Sequence, residues 1–356
     1  MKVIGLDLRE AEMARYKKFL DETGEGLFQT PAWGAVKAEE GWRPWCLVAT
    51  SDAEIRGGLI ALERRAGGPL GGLWHVPRGP VARLDTVEGR EAGAALLVAL
   101  SDLAVKRGGI SIRISPDVGA GTLPAGWLAS LGYAPVSDAP WLHTATFRVD
   151  LAREEEAILA GMEGRTRSAI RKAVAAGVAV DMANTQACFE AFHRMLRATG
   201  ERNDFRVVPE ARMRALWERS RAEGWGCVFL SRAREGEPLT GALVLAPGRR
   251  CHYLFGGSLP ACRKLHPNEL LHWEVMRWAR ARGCAVYDLQ GVAGRIRPDH
   301  PLWGNYLFKR GFGGEYVELE GEFERVLRPR FDRALKWGLA RVRAAASLAR
   351  RSETHG

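Results

Sequence analysis

Apolar residues recur along this chain in one arrangement that appears twice. The run Cys46-Leu47-Val48-Ala49 is followed by a polar turn and then Glu54–Leu62, apolar from Leu59 onward. The run Cys227-Val228-Phe229-Leu230 is followed by a polar turn and then Glu237–Leu245. Each pair predicts a hairpin of apolar strands. After each hairpin the pattern predicts another strand, a helix and a further strand. The helices span about Gly89–Arg107 and Pro267–Arg282, and the strands that follow are Ile110–Ser115 and Ala285–Leu289. Both helices end in Arg-Gly, where glycine suits the left-handed cap. In the second, Pro267 suits the first helical position, and Leu271, Val275 and Trp278 fall at i, i+4 and i+7. The same order of elements twice predicts an α/β chain of two similar lobes, each a mixed sheet with packed helices.

The expected boundaries follow from that repeat. Residues 148–317 form the second lobe, and residues 1–147 form the first, completed by 318–356, with crossings near Arg148 and Val317. A helical stretch, Arg153–Gly177, opens the second copy and carries Arg165, Arg167, Arg171 and Lys172; its alternative reading is a solvated helix face. Beyond it all, Glu315–Phe323 reads as a strand and Arg325–Arg351 as a basic helix with one acid, Asp332, both returning to the first lobe. Phe331, Leu335, Leu339 and Val342 share one face of that helix, which suits docking or a membrane surface.

With 356 residues the chain is long for one core and about right for two. No run approaches the roughly 18 apolar residues that span a bilayer. The start carries Asp7, Glu10 and Glu12 and no apolar leader, so a cytoplasmic protein is expected. Six scattered cysteines without a CxxC pair read as structural thiols, and eight histidines without HExxH give a metal site little support. The net charge of +10 points to a polyanionic partner, or to nothing more than an arginine-rich genome. No cofactor is expected. The oligomeric state is not fixed by the sequence, and a monomer is the expectation.

Chemistry concentrates in Pro301–Gly314. There Lys309 sits among Trp303, Tyr306, Phe308 and Phe312, in what reads as a glycine-punctuated loop. A lysine so placed suits a phosphate or a developing oxyanion; the alternative is a lysine snorkelling over a core edge. Asp288 follows an apolar strand and reads either as a cleft carboxylate or as a turn residue.

Several stretches, in order, resemble the Fem family of tRNA-dependent peptidyltransferases, which build interpeptide bridges of bacterial peptidoglycan. They are Phe28–Trp33 with Lys37, Val76–Val81, Arg167–Ala176, Thr199–Arg202 with Phe205, Tyr253–Ser258, Tyr287–Gly291, and Phe308-Lys309 with Phe312–Gly314. The resemblance implies two acetyltransferase-like (GNAT) lobes, here without a coiled-coil arm. It implies transfer of an amino acid from aminoacyl-tRNA to the side-chain amine of a peptidoglycan stem peptide, the acceptor being a muramyl pentapeptide on UDP or a lipid carrier. Lys309, with the Phe308 main chain, would serve the oxyanion or a phosphate, and Asp288 or a substrate phosphate would take the proton. Lys37, Trp74, His75, Arg78, Arg202, Tyr253 and Phe255 would meet the acceptor, and Arg165, Arg167, Arg171 and Lys172 the tRNA. Trp74 and His75 stand where many relatives carry tyrosine before the Pro-Arg-Gly-Pro turn, and Ala82–Leu84 precede the aspartate common there.

Three other readings stay open. The acceptor is a small peptide or natural product; the lobes are a non-catalytic RNA- or membrane-binding module; or the donor is acetyl-coenzyme A. Against the last, neither repeat helix is preceded by the glycine loop that cradles a pyrophosphate.

Overall fold

The computed structural model describes residues 1–6, 12–24, 27–65, 71–136, 140–182, 184–292, 294 and 297–337, with backbone alone for 261–263. The chain begins with β1 (Lys2–Leu6), α1 (Glu12–Thr23), α2 (Pro31–Glu39), β2 (Arg43–Ser51), β3 (Glu54–Arg65) and β4 (Gly72–Pro77). It continues through β5 (Val81–Ala82), α3 (Val87–Lys106), β6 (Gly109–Ser115), α4 (Trp127–Ser130) and β7 (Ala134–Pro135). Then come β8 (Ala145–Asp150), α5 (Glu155–Gly161), α6 (Gly164–Ala175), β9 (Ala179–Met182), α7 (Gln186–Arg202) and α8 (Glu210–Ala222). The last described elements are β10 (Gly226–Arg232), β11 (Pro238–Leu245), β12 (Arg250–Ser258), α9 (Pro267–Ala281), β13 (Val286–Asp288), α10 (Trp303–Arg310), β14 (Glu315–Glu318) and β15 (Phe323–Val326).

These strands form two mixed sheets. The first runs β1-β2-β3-β4-β6-β15-β7, with β5 also on β3; the second runs β14-β8-β13-β12-β11-β10-β9. Each sheet contains one parallel pair, β4 with β6 and β12 with β13. Parallel neighbours need a crossover, and α3 and α9 supply it. The hairpins β2–β3 and β10–β11 precede them, so the repeat read from the sequence appears as two similar topologies. Both crossover helices end as expected, on Gly108 and Gly283 with φ of 73° and 81°.

Both faces of each sheet are covered. In β2 and β3, Leu47, Ala49, Leu59 and Ala61 pack under α3, while Cys46, Val48, Ile60 and Leu62 pack under α1. In β10, Cys227 and Phe229 meet the α9 side, and Val228 and Leu230 the α7–α8 side. Two buried faces explain why these strands read as unbroken apolar runs rather than as alternation.

Residues 27–36 fasten the sheets together. Phe28, Trp33 and Val36 enter the core formed by α7, α8 and the second sheet. The Gln29 amide donates to the Pro77 carbonyl at 2.6 Å and accepts from the Ile60 N–H at 2.7 Å, both in the first sheet. The Leu27 N–H donates to His252 in β12.

Four expectations change. Glu315–Phe323 is not one strand: β14 pairs with β8 in the second sheet and β15 with β6 in the first. Gly321, at φ 98°, lies in the turn between them. Arg153–Gly177 is two helices, broken where Met162 is extended. Lys309 lies on a helix, α10, closed by Gly311 rather than in a loop. The basic C-terminal segment is helical over 329–337, and its remainder to Arg351, including Leu339 and Val342, lies outside the described residues. Among the described residues no helix is long and apolar enough to cross a membrane.

Candidate active site

The register of the second sheet sets Arg148, Asp288 and His252 side by side on β8, β13 and β12. Asp288 is buried. Its Oδ1 accepts from Thr146 Oγ1 at 2.6 Å and from the Gln290 N–H at 2.8 Å, and its Oδ2 accepts from Arg148 Nε at 3.1 Å. Arg148 and neighbouring Arg78 and Arg250 are cationic, and Asp117, from the loop after β6, pairs with both Arg148 (2.6 Å) and Arg250. Burial opposes ionisation of Asp288, but the charges of Arg148 and Arg250 and the hydrogen bond from Thr146 hold its carboxyl below the usual carboxylate range.

Just past β13 the backbone turns through Gln290, a non-glycine residue at φ 54°. Such left-handed residues cost about 1–3 kcal/mol and persist when their surroundings fix them. Here Asp288 holds the Gln290 N–H. The turn aims two consecutive carbonyls at α10, where Lys309 Nζ donates to Gln290 O and to Gly291 O, each at 2.8 Å. Lys309 is only 6% exposed. Burial brings its ammonium down from the ordinary 10.5 to about 8, with the Asp288 charge opposing. Tyr253 presents its ring 5.9 Å from Nζ. Behind it, His272 packs edge-on to Tyr253 at 4.5 Å and contacts Phe308 and Phe312. The lysine is thus a desolvated cation with two of its three protons fixed by backbone oxygens and the third without a partner among the described residues.

The cleft beside Asp288 is lined by Phe28, Arg78, Asp117, Arg148, Arg250 and His252, among others. With Lys309 nearby, four cations meet two carboxylates, an excess of two positive charges. His252 adds none: burial pulls it to about 4, and both ring nitrogens are engaged, by the Leu27 N–H and the Gln290 amide.

The remaining candidates are distributed around this centre. Arg78 stands at φ 55° in the turn after β4 and donates to the His143 carbonyl at 2.6 Å. Lys37 closes α2, paired with Glu40 at 3.0 Å over the Trp33 ring. His75 is buried, 3.9 Å from Glu322 and edge-on to Trp141, and burial with the charges of Arg113, Lys37 and Arg78 pulls it down to about 3. Trp74 is 1% exposed in the core under α3 and has no face open to a ligand. Arg202 clasps β12, donating to Ser258 O at 3.1 Å. Phe255 is half-buried beside the α7 core. On α6, Arg165 is tied to Glu163 and to Leu307 O, and Arg167 caps α5 through Ala160 O and Met162 O. Arg171 and Lys172 are exposed, with no ion pair among the described residues.

Sequence reasoning passed over Thr146, Arg148, Asp117, Arg250, His252 and His143. Two weak signals existed. Arg148 is a lone charge inside the apolar run Ala145–Val149, and Arg250 and His252, two apart at the head of an apolar strand, face the same way.

Residues 161–310 match the acetyltransferase (GNAT) domain model. The chain is 23% identical over 372 residues to the lipid II:glycine glycyltransferase of Staphylococcus epidermidis RP62A, covering 85% of this chain and 88% of the relative. It is 22% identical over 374 residues to the same-named protein of Staphylococcus aureus MRSA252, with the same coverage. Its fold superposes on the crystal structure of FemX with a TM-score of 0.83 at 21% identity, covering 94% of this chain and 99% of that one. The chain is an acyltransferase of Fem-like sequence and fold. A tandem GNAT protein of clavulanic acid biosynthesis is a more distant structural neighbour, at TM-score 0.54 and 14% identity over 91% of this chain and 97% of its own. In this Fem-like enzyme the matched GNAT segment holds β12, α9, β13 and α10, the elements that build the Lys309 site.

Proposed function

We propose that this enzyme transfers an amino acid from aminoacyl-tRNA to the side-chain amine on the third residue of a peptidoglycan stem peptide, carried on a lipid-linked or UDP-linked muramyl precursor. The names of the staphylococcal relatives favour the lipid-linked acceptor and glycine as the residue moved. The observation that carries the reading is the Lys309 ammonium, desolvated, held by two carbonyls and with its third donor unpaired among the described residues. The ester donor is already activated, so positioning and charge stabilisation supply most of the acceleration. The amine attacks the ester carbonyl, Lys309 donates to the oxyanion, and the ribose oxygen leaves. Arg78, with Lys37 and Arg202, would meet acceptor phosphates or carboxylates, for which guanidinium groups suit bidentate binding. Tyr253 would line the groove, as would Phe255. Trp74 falls out of this set by its burial, and His75 remains only as a support beneath the rim.

The two functional units of this reading are 148–317 and 1–147 with 318–356, the crossings falling inside β8 and β14, which both belong to the second sheet, with the reaction at their junction. The exposed Arg171 and Lys172 are the α6 cations left for tRNA. Work on a lipid-linked acceptor would place the enzyme at the cytoplasmic face of the membrane. Binding measurements test the donor class. The protein should bind aminoacyl-tRNA and a muramyl pentapeptide nucleotide, and coenzyme A weakly or not at all. Tight binding of coenzyme A without affinity for charged tRNA would overturn the reading.

A further inference from the structure

Among the described residues, each carboxylate or imidazole around Lys309 is already engaged, with one exception. Asp288 spends its oxygens on Thr146, Gln290 and Arg148. Asp117 lies between Arg148 and Arg250. His252 has both nitrogens occupied, and His272 is buried with Nδ1 against the Tyr287 hydroxyl. His143 differs. It is exposed at the rim, and among the described residues its ring nitrogens have no hydrogen-bond partner.

Its position is nevertheless fixed. Arg78 Nη2 donates to its carbonyl, Leu319 N–H donates to the carbonyl of Thr144, and Val292 N–H donates to that of Ala145. The ring lies against Gly291, so close that a methyl group on Gly291 would fall 2.1 Å from Cδ2 and 2.6 Å from Nε2 and would displace it. Gly291 is also the residue whose carbonyl binds Lys309. The imidazole therefore stands one peptide unit from the cation assigned to the oxyanion.

We propose that His143 is the proton acceptor of the acyl transfer. The proposal rests on the aminoacyl-transfer reading above. As the amine lone pair forms the new N–C bond, the carbonyl π electrons move to oxygen, and a neutral His143 takes one proton from the resulting ammonium. When the intermediate collapses, the C–O bond to ribose breaks, and the imidazolium returns that proton to the leaving oxygen. The groups facing the ring are Lys309 from α10 and Arg78 from the turn after β4. Desolvation of the ring where it packs on Gly291, and then the charges of these two cations, keep the imidazole below its ordinary 6.5, hence neutral near pH 7. A positioned base of this kind is worth about 10²–10⁴ in rate.

The test measures single-turnover transfer from aminoacyl-tRNA to the stem-peptide amine, with and without added imidazole, alongside binding of the donor and the acceptor. His143→Gln should lower transfer by about 10²-fold or more while both binding affinities stay within a few-fold. Added imidazole should partly restore transfer by His143→Gly and should not restore transfer by Lys309→Met. Transfer by His143→Gln within about threefold of wild type overturns the role of His143, and so does a His143→Gly variant that imidazole leaves unrescued. Failure of the wild-type enzyme with every charged tRNA would instead remove the aminoacyl-transfer reading on which the proposal stands.

Discussion

Replacing Lys309 by methionine should separate stability from activity. The substitution removes two hydrogen bonds and leaves the Gln290 and Gly291 carbonyls unpaired in a buried place. Each orphaned acceptor costs about 1–3 kcal/mol. It also removes a charge whose burial is unfavourable: a fall from 10.5 to about 8 corresponds to about 3 kcal/mol. The two effects oppose one another, so the net loss of stability at pH 7 should be no more than about 3 kcal/mol, with the fold kept. Activity has no such compensation, and loss of one oxyanion donor costs about 10²–10³ in rate. The pH dependence sharpens the test. The folded-state pKa of Lys309 lies below its unfolded value, so between about 8 and 10.5 the unfolded chain holds more protons at this site than the native one. Wild type should therefore gain stability relative to Lys309→Met across that window, while its kcat/KM falls above about 8 as the ammonium is lost. Denaturant melts and single-turnover transfer at matched pH values measure both. A variant keeping more than about a tenth of wild-type turnover, or a stability difference that stays flat from pH 8 to 10.5, would refute the reasoning.

Three further outcomes are expected. Asp288→Asn removes the charge that supports the Lys309 ammonium, so the alkaline limb of the pH–rate profile should move below about 8; loss of the Arg148 contact should cost about 1–3 kcal/mol, read from a denaturant melt. Trp74→Ala should cost about 3–5 kcal/mol in the same melt yet leave KM for the acceptor unchanged in the folded protein, because the indole is core. Reversing Arg171 and Lys172 to glutamate should lower the salt slope of aminoacyl-tRNA affinity by about two, whereas Arg167→Glu should chiefly loosen the end of α5; equal salt slopes for the two variants would place the RNA elsewhere.

What the sequence carried, and what it did not, follows from the range of the interactions. The hairpins and crossover helices were legible because their signals are local: apolar runs, Pro267 at a helix start, and glycine at each helix end. Lys309 and Asp288 stood out for the company they keep within a few residues. Their partners did not. Asp117 and Arg250 are 133 positions apart, and they meet through the fold, across the junction of the two sheets. Arg148 meets Asp288 only through the register of β8 on β13. Strands buried on both faces also give no alternation to say which side faces a cleft; Trp74, set at the acceptor by the family resemblance alone, is a core residue. The strand Glu315–Phe323 failed for a related reason. Its halves have equal strand character, and only the three-dimensional path past Gly321 assigns them to different sheets.

The central claim is that an aminoacyl ester on tRNA is the donor and the stem-peptide amine the acceptor. The most direct measurement is to incubate the enzyme with a mixture of charged tRNAs and a muramyl pentapeptide, and to locate the added mass by tandem mass spectrometry. The predicted result is an aminoacyl residue on the side-chain amine of the third residue, abolished by prior ribonuclease treatment and by Lys309→Met. An unmodified peptide with every charged tRNA, or the same product formed after the tRNA is destroyed, would contradict it.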